Sequence, residues 1–270
     1  MGADEMFKEY LEEIRRTRSP NTYENYCNAL KKFKTGSKEE IIKFIAGGSI
    51  AGTSKKMYLT VLKSALDYYG ELSKDKARII KGYRCNNPIE PCPTDEEVEK
   101  IWGTLKRPRD KLIFALMAYN GLRISEVANL HLGDILSGNK ILLRNTKGKQ
   151  DAMVPIIHDR VRESLDEYLD TRKYDLDELF VTQQRSAMTL EGMKFMVRKV
   201  CRECGLPYHP HSFRRFFANN LSKHGVELQY IQTAMRHKNP GTTMRYLNID
   251  QDDVAVIMKR VYKEEAHDEH

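Results

Sequence analysis

Six side chains in this sequence could together transfer a phosphoryl group: Arg123, Lys147, His211, Arg214, His237 and Tyr246. A guanidinium can grip a phosphate through two parallel hydrogen bonds, and two of them can offset the charge that builds up at phosphorus. A neutral imidazole can accept or pass on a proton. A lysine can protonate a leaving oxygen. A tyrosine hydroxyl, with a pKa of ~10, becomes a nucleophile only beside positive charge and a proton acceptor. Taken singly, each residue has a plainer reading. Arg123 and Glu126 could be a surface ion pair worth little. Lys147 and Lys149 could be ordinary charges on an exposed loop. Tyr246 is one of 14 tyrosines, and most tyrosines are packing or surface residues. What sets these residues apart is their order, Arg–Lys–His-x-x-Arg–His–Tyr, and the elements that carry them.

Those elements are mostly helices. The apolar run "KLIFALMAYNGLR" predicts a helix ending near Gly121, and "ISEVANL" begins the next. Arg123 falls at this junction, with Glu126 three residues on and able to orient it. "DILSGNKILLRN" and "DAMVPII" are two β-like runs around "TKGKQ", so Lys147 and Lys149 crown the loop of an antiparallel hairpin. A helix starting near Ser212 places His211 and Arg214 on one side and buries Phe213, Phe216, Phe217 and Leu221 on the other. Further helices are expected at 159–171, 189–204, 227–236 and 241–262. Asn239-Pro240 must interrupt the chain after His237. Thr242 and Thr243 can cap the helix that carries Tyr246, which becomes a separate, movable element.

Upstream, residues 1–82 read as four short helices forming a small bundle. Ser19-Pro20 offers helix-start chemistry, and Ser37 with Glu40 fits a capping box. Met57, Val61, Leu62, Ala65 and Tyr69 fall on one face of the last helix. "CNNPIEPCP", with three prolines in nine residues, suits a linker at 85–93. Thr94 is placed to cap the helix that follows. The expected organisation is a helical domain at 1–84, the linker, and a second domain at 94–270. The fold class is mainly α with a small antiparallel β-sheet.

Composition limits the partners. The chain has 270 residues, a net charge of +7 and a pI of about 9.0. That balance favours a polyanion, nucleic acid before an anionic membrane surface. No apolar run approaches the roughly 18 residues of a membrane span. The N-terminus is unlike a secretory signal, and five cysteines without a regular framework fit a reducing, cytoplasmic compartment. Cys201 and Cys204 followed by His209 and His211 carry zinc-type donors. The spacing is too short for a finger, and Cys201 lies in an apolar helical stripe, so packed thiols are expected. No carboxylate cluster suggests a metal, and no cofactor is expected. Val254, Ile257, Met258 and Val261 make an apolar stripe after Tyr246 that suits docking on another protomer or packing within the chain. The acidic tail "KEEAHDEH" carries no motif.

The ordered set resembles the tyrosine recombinase (phage integrase) family. "GLRISEVANLHLGDI" is similar to its first arginine motif, "NTKGKQDAMVPI" to its basic hairpin, "HPHSFRRFFANNLSKHG" to its His-x-x-Arg box, and "IQTAMRHKNPGTTMRYLNI" to its His-plus-Tyr box. "SPNTYENYCNALKKF" is similar to its N-terminal core-binding domain, which is SAM-like. The resemblance covers about residues 5–260. Arg215 stands where many relatives carry histidine.

The resemblance implies a site-specific DNA recombinase, an integrase or Xer-like resolvase. Tyr246 would form a 3′-phosphotyrosyl link, and strand exchange would pass through a Holliday junction. Arg123 and Arg214 would hold the non-bridging oxygens with help from His237. His211 would accept the tyrosine proton, Lys147 or else Lys149 would protonate the 5′-oxygen, and Glu126 would support Arg123. It further implies double-stranded recombination or attachment sites clamped between the two domains, a homotetramer on two duplexes, and DNA-bending or directionality factors. Alternatives are a type IB topoisomerase-like enzyme and a DNA-binding accessory protein without catalysis. The core-binding segment weighs against the first and the complete residue set against the second.

Overall fold

The computed structural model describes residues 6–85, 91–144 and 151–236. The chain divides into two compact units, Met1–Ile89 and Glu90–His270.

The first unit contains five helices among its described residues: α1 (Lys8–Thr17), α2 (Pro20–Leu30), α3 (Lys38–Ala46), α4 (Gly52–Tyr68) and α5 (Lys74–Gly82). The sequence reading expected four. The fifth is the short α5, which Ser73 caps by accepting the Lys76 amide. Ser19 caps α2, whose first residue is Pro20, so no helical N–H is lost there. Ser37 caps α3, but the reciprocal half of the expected capping box is absent. The Glu40 carboxylate instead accepts the amides of Lys34, Thr35 and Gly36 at 2.7, 3.0 and 2.8 Å. The core is built from Phe7, Leu30, Phe33, Ile41, Leu59, Leu62 and Leu66. On α4 the buried face includes Val61, Leu62 and Ala65 as expected, whereas Met57 is exposed. The heptad-like run Lys55, Leu59, Leu62, Leu66 faces inward, and Met57 lies off that face.

The second unit begins with α6 (Asp95–Thr104). Thr94 and Glu97 form a reciprocal capping box there, with the Thr94 amide donating to Glu97 at 2.9 Å. α7 (Pro108–Ala118) is buried at every residue from Leu112 to Ala118. It packs against α9 (Asp159–Thr171) and α11 (Pro210–Lys223), which accounts for a helix without a polar face. The short α8 (Ile124–Ala128) and α10 (Leu190–Glu203) come between them in the chain, and α12 (Leu228–Ala234) follows α11.

The sheet has three antiparallel strands in the order β1 (Ile135–Leu136), β2 (Lys140–Leu143), β3 (Ala152–Pro155). The run expected to be one strand is two, because Gly138 and Asn139 both take positive φ and turn the chain between Leu136 and Lys140. Ile141 pairs with Val154 and Leu143 with Ala152. Ile141, Leu143 and Val154 point into the core while Met153 is exposed, the alternation expected of a sheet with one buried face. Asn120 donates to the Pro155 carbonyl at 3.0 Å, which ties the sheet to the loop before Arg123. At the end of β2, Arg144 is held by the buried Asp134 at 2.6 Å.

Candidate active site

Three arginines meet around one carboxylate. Arg123 is the cap residue just before α8, and Glu126 lies in the first turn of that helix. The Glu126 carboxylate accepts the Arg123 amide at 2.8 Å and its guanidinium at 2.6 Å. Backbone and side chain of Arg123 are therefore fixed by the same group. Arg214, on the first turns of α11, is almost wholly buried, at 1% exposure. It donates to the carbonyls of Gly121 and Met235 and lies 3.8 Å from Glu126. The third is Arg236, just beyond α12, whose guanidinium is 2.8 Å from Glu126 and 3.3 Å from the Gly121 carbonyl. Burial pulls the Glu126 carboxyl upward. The charges of Arg236 and Arg123 and the Arg123 amide outweigh that and hold it below the ordinary carboxylate range.

Gly121 makes this convergence feasible. Its φ is +63°, and a Cβ there would stand 2.4 Å from the Phe217 ring on α11. Only glycine allows α11 to close onto the loop and bring Arg214 to the Gly121 carbonyl.

His211 sits one turn before Arg214 on α11 but is exposed where Arg214 is buried, with its ring 6.3 Å from that of His209. The structure thus brings Arg123, Glu126 and Arg214 together and places His211 on the same helix. Lys147, Lys149, His237 and Tyr246, and the stripe from Val254 to Val261, lie outside the described residues. The reading of the sequence missed Arg236. Its only signal was a charged residue after the segment "IQTAM", directly before His237.

Among the described residues no group of three or more histidine, cysteine or acidic side chains is arranged to hold a metal ion. Cys201 and Cys204 are buried, and burial together with Cys204 pushes the Cys201 thiol up to about 12, which disfavours the thiolate that zinc needs. Among these residues no helix is long and apolar enough to cross a membrane.

A mainly helical unit with a small antiparallel sheet, an arginine at a helix junction and a second in a His-x-x-Arg turn define the class, and comparison agrees. Residues 93–252 match the model of the phage integrase family, and the chain belongs to that family, the tyrosine recombinases. It is 30% identical over 254 residues to tyrosine recombinase XerA of Pyrococcus horikoshii, covering 91% of this chain and 88% of that protein. It is 29% identical over 282 residues to a tyrosine recombinase of Thermosipho africanus, covering 94% and 98%. The fold is that of a lambda integrase dimer bound to a COC′ core site, with a TM-score of 0.75 at 16% identity over 91% of this chain and 95% of that one. It is also that of the Tn1549 transposon integrase in complex with transposon right end DNA, with a TM-score of 0.74 at 18% identity over 97% and 100%.

Proposed function

We propose that this chain is a site-specific DNA recombinase, an integrase or Xer-like resolvase, in which Arg123 and Arg214 cradle the scissile phosphate and Tyr246 attacks it. The phenol oxygen of Tyr246 forms a bond to phosphorus as the bond to the 5′-oxygen breaks. His211 takes the phenol proton and Lys147 supplies one to the leaving oxygen. His237 adds a hydrogen bond to the non-bridging oxygens. The bond to tyrosine keeps the phosphodiester energy, so a 5′-hydroxyl from the partner strand reverses the step and seals the DNA.

The observation that carries this reading is the meeting of the Arg123 and Arg214 guanidiniums at the Gly121–Glu126 turn, far apart in sequence and together in space. Cations fixed in a buried setting before the reaction are what a developing phosphorane charge requires. Glu126 positions Arg123 from behind. The segment 94–270 acts as the catalytic domain, and 1–84 as a core-binding domain that adds phosphate contacts. In that segment Lys32, Lys34 and Lys43 line a cavity of about 620 Å³, beside Glu39. Its substrates are double-stranded recombination or attachment sites, brought together in pairs by four protomers, with accessory bending or directionality factors, on DNA in the cytoplasm.

The test uses a labelled duplex carrying the protein's recombination site with a nick beside the scissile phosphate. The protein should form a covalent adduct on the DNA 3′ end, seen on a denaturing gel, and Tyr246→Phe should form none. An adduct that persists in Tyr246→Phe removes that tyrosine from the reaction.

A further inference from the structure

We infer that Arg236 is a positioning residue for DNA cleavage: it takes up the charge of Glu126, so that Arg123 and Arg214 face the phosphate as two uncompensated guanidiniums. The inference rests on the reading of that site given above.

The geometry of Arg236 is costly in two ways. Its φ is +52°, a left-handed conformation that a residue with a Cβ seldom adopts. If only a turn were needed after α12, glycine would serve with less strain. Its guanidinium is also largely buried, and burying a charge needs a partner. A local role at the helix end explains only one of its contacts, the 3.0 Å bond to the Ala234 carbonyl. The contacts to Gly121 and Glu126 reach across to the loop that carries Arg123.

Glu126 is needed to fix Arg123, through both amide and guanidinium. That bond has a cost for binding phosphate, because the carboxylate cancels one of the two positive charges and repels the incoming oxygens. A third guanidinium on the same carboxylate removes the cost. Three positive charges around one negative leave an excess of two, the number that the arginine pair would present without Glu126. Arg236 also ties the chain leading into His237 to this site, because its carbonyl faces the Arg123 guanidinium at 3.5 Å and the neighbouring Met235 carbonyl accepts from Arg214.

The experiment is a cycle of Arg236→Gly, Glu126→Gln and the double variant, with single-turnover adduct formation on the nicked duplex at saturating protein. DNA affinity and thermal melting are followed in parallel. Arg236→Gly should slow cleavage by roughly 10- to 100-fold while DNA affinity changes much less. Arg236→Lys should recover much of the loss, because an ammonium can still meet the carboxylate. The decisive outcome is the coupling: in the Glu126→Gln background, loss of Arg236 should cost at least about 5-fold less than in the wild type, since no carboxylate is left to neutralise. Equal losses in both backgrounds would overturn the charge-partner role, and so would wild-type cleavage by Arg236→Gly. If the glycine variant melts early, Arg236→Met keeps the stem without the charge and gives the same comparison. Arg123→Ala is run alongside. Cleavage by that variant would sink the reading of the site itself, whatever Arg236 does.

Discussion

Each unit pairs a buried cation with a fixed carboxylate, but to different ends. In the first, Lys55 and Glu40 bracket the helix Lys38–Ala46. Glu40 collects three amides ahead of its N-terminus, and Lys55 donates to the carbonyls of Ile45 and Gly47 at its C-terminus. Negative charge stands at the start and positive charge at the end, the arrangement the helix dipole favours. The charges sit apart and each is matched by backbone. In the second unit, three guanidiniums crowd one carboxylate. Crowded cations are a poor way to stabilise a fold and a good way to receive a phosphate. Buried charge by itself therefore says little about function; excess of one sign does.

The sharpest way to break this contrast is to remove one cation from each unit. Arg214→Ala should lower the single-turnover cleavage rate by ~10²–10³-fold, the usual loss when a donor to a developing anion is deleted. Lys55→Met should cost about 1–3 kcal/mol in denaturant unfolding, because buried carbonyls lose a charged donor, and should leave the cleavage rate of folded protein unchanged. If Arg214→Ala lost activity only in proportion to lost stability, the two cations would be equivalent and the contrast would fail.

A second comparison separates backbone strain from close approach. Gly70 in the first unit and Gly121 in the second both have positive φ, +71° and +63°. A Cβ on Gly70 meets nothing within 4 Å, whereas one on Gly121 runs into Phe217. Gly70→Ala should therefore cost about 1 kcal/mol, from conformation alone. Gly121→Ala should cost roughly 2–4 kcal/mol, because α11 must shift as well, and that shift carries Arg214 away from its place. Urea unfolding of both variants checks the difference, and equal losses would mean that α11 does not rest on Gly121.

Much of this was legible beforehand because it was local. Pro20 after Ser19, and Thr94 ahead of the next helix, are short-range signals, and each marks a helix start in the structure. Arg123 and Glu126 are three residues apart and meet, as their spacing suggested. The misreadings have several causes. Glu40 had two sets of amides within reach and bonded to those of Lys34–Gly36, which a pattern of residue types cannot rank. The strand break at Gly138-Asn139 rests on two positive φ angles in a row, and Ser137-Gly138-Asn139, residues that favour a turn, were taken into one β-like run. The short helix Lys74–Gly82 has little apolar periodicity of its own and buries only Ile80. Arg236 could not be found from its neighbours, because its partners, Gly121 and Glu126, are more than a hundred residues away.

The smallest expected effect concerns acid. Glu40 and Glu126 are both held below the ordinary carboxylate range in spite of burial, which pulls each upward. The amides of Lys34, Thr35 and Gly36 outweigh burial in one case, chiefly the Arg236 charge in the other. A carboxyl whose folded value lies below its unfolded value of ~4.3 stabilises the fold above that pH, and the contribution is lost as pH falls through the folded value. Both residues should therefore add to the acid limb of the stability curve, and Glu40→Gln or Glu126→Gln should each flatten it. The mechanisms differ in what protonation leaves behind. At Glu40 it leaves amides short of an acceptor. At Glu126 it leaves three guanidiniums facing one another, so loss of one of them should help. Arg236→Met should thus raise the stability of Glu126→Gln, whereas in Glu40→Gln, where the charged Glu126 still pairs with Arg236, it should lower stability near pH 6 and lose that penalty only as Glu126 is protonated. Amide hydrogen exchange from pH 3 to 6 reads the two regions separately. An Arg236→Met effect of the same sign near pH 6 in both backgrounds would show that Arg236 does not answer to the Glu126 charge.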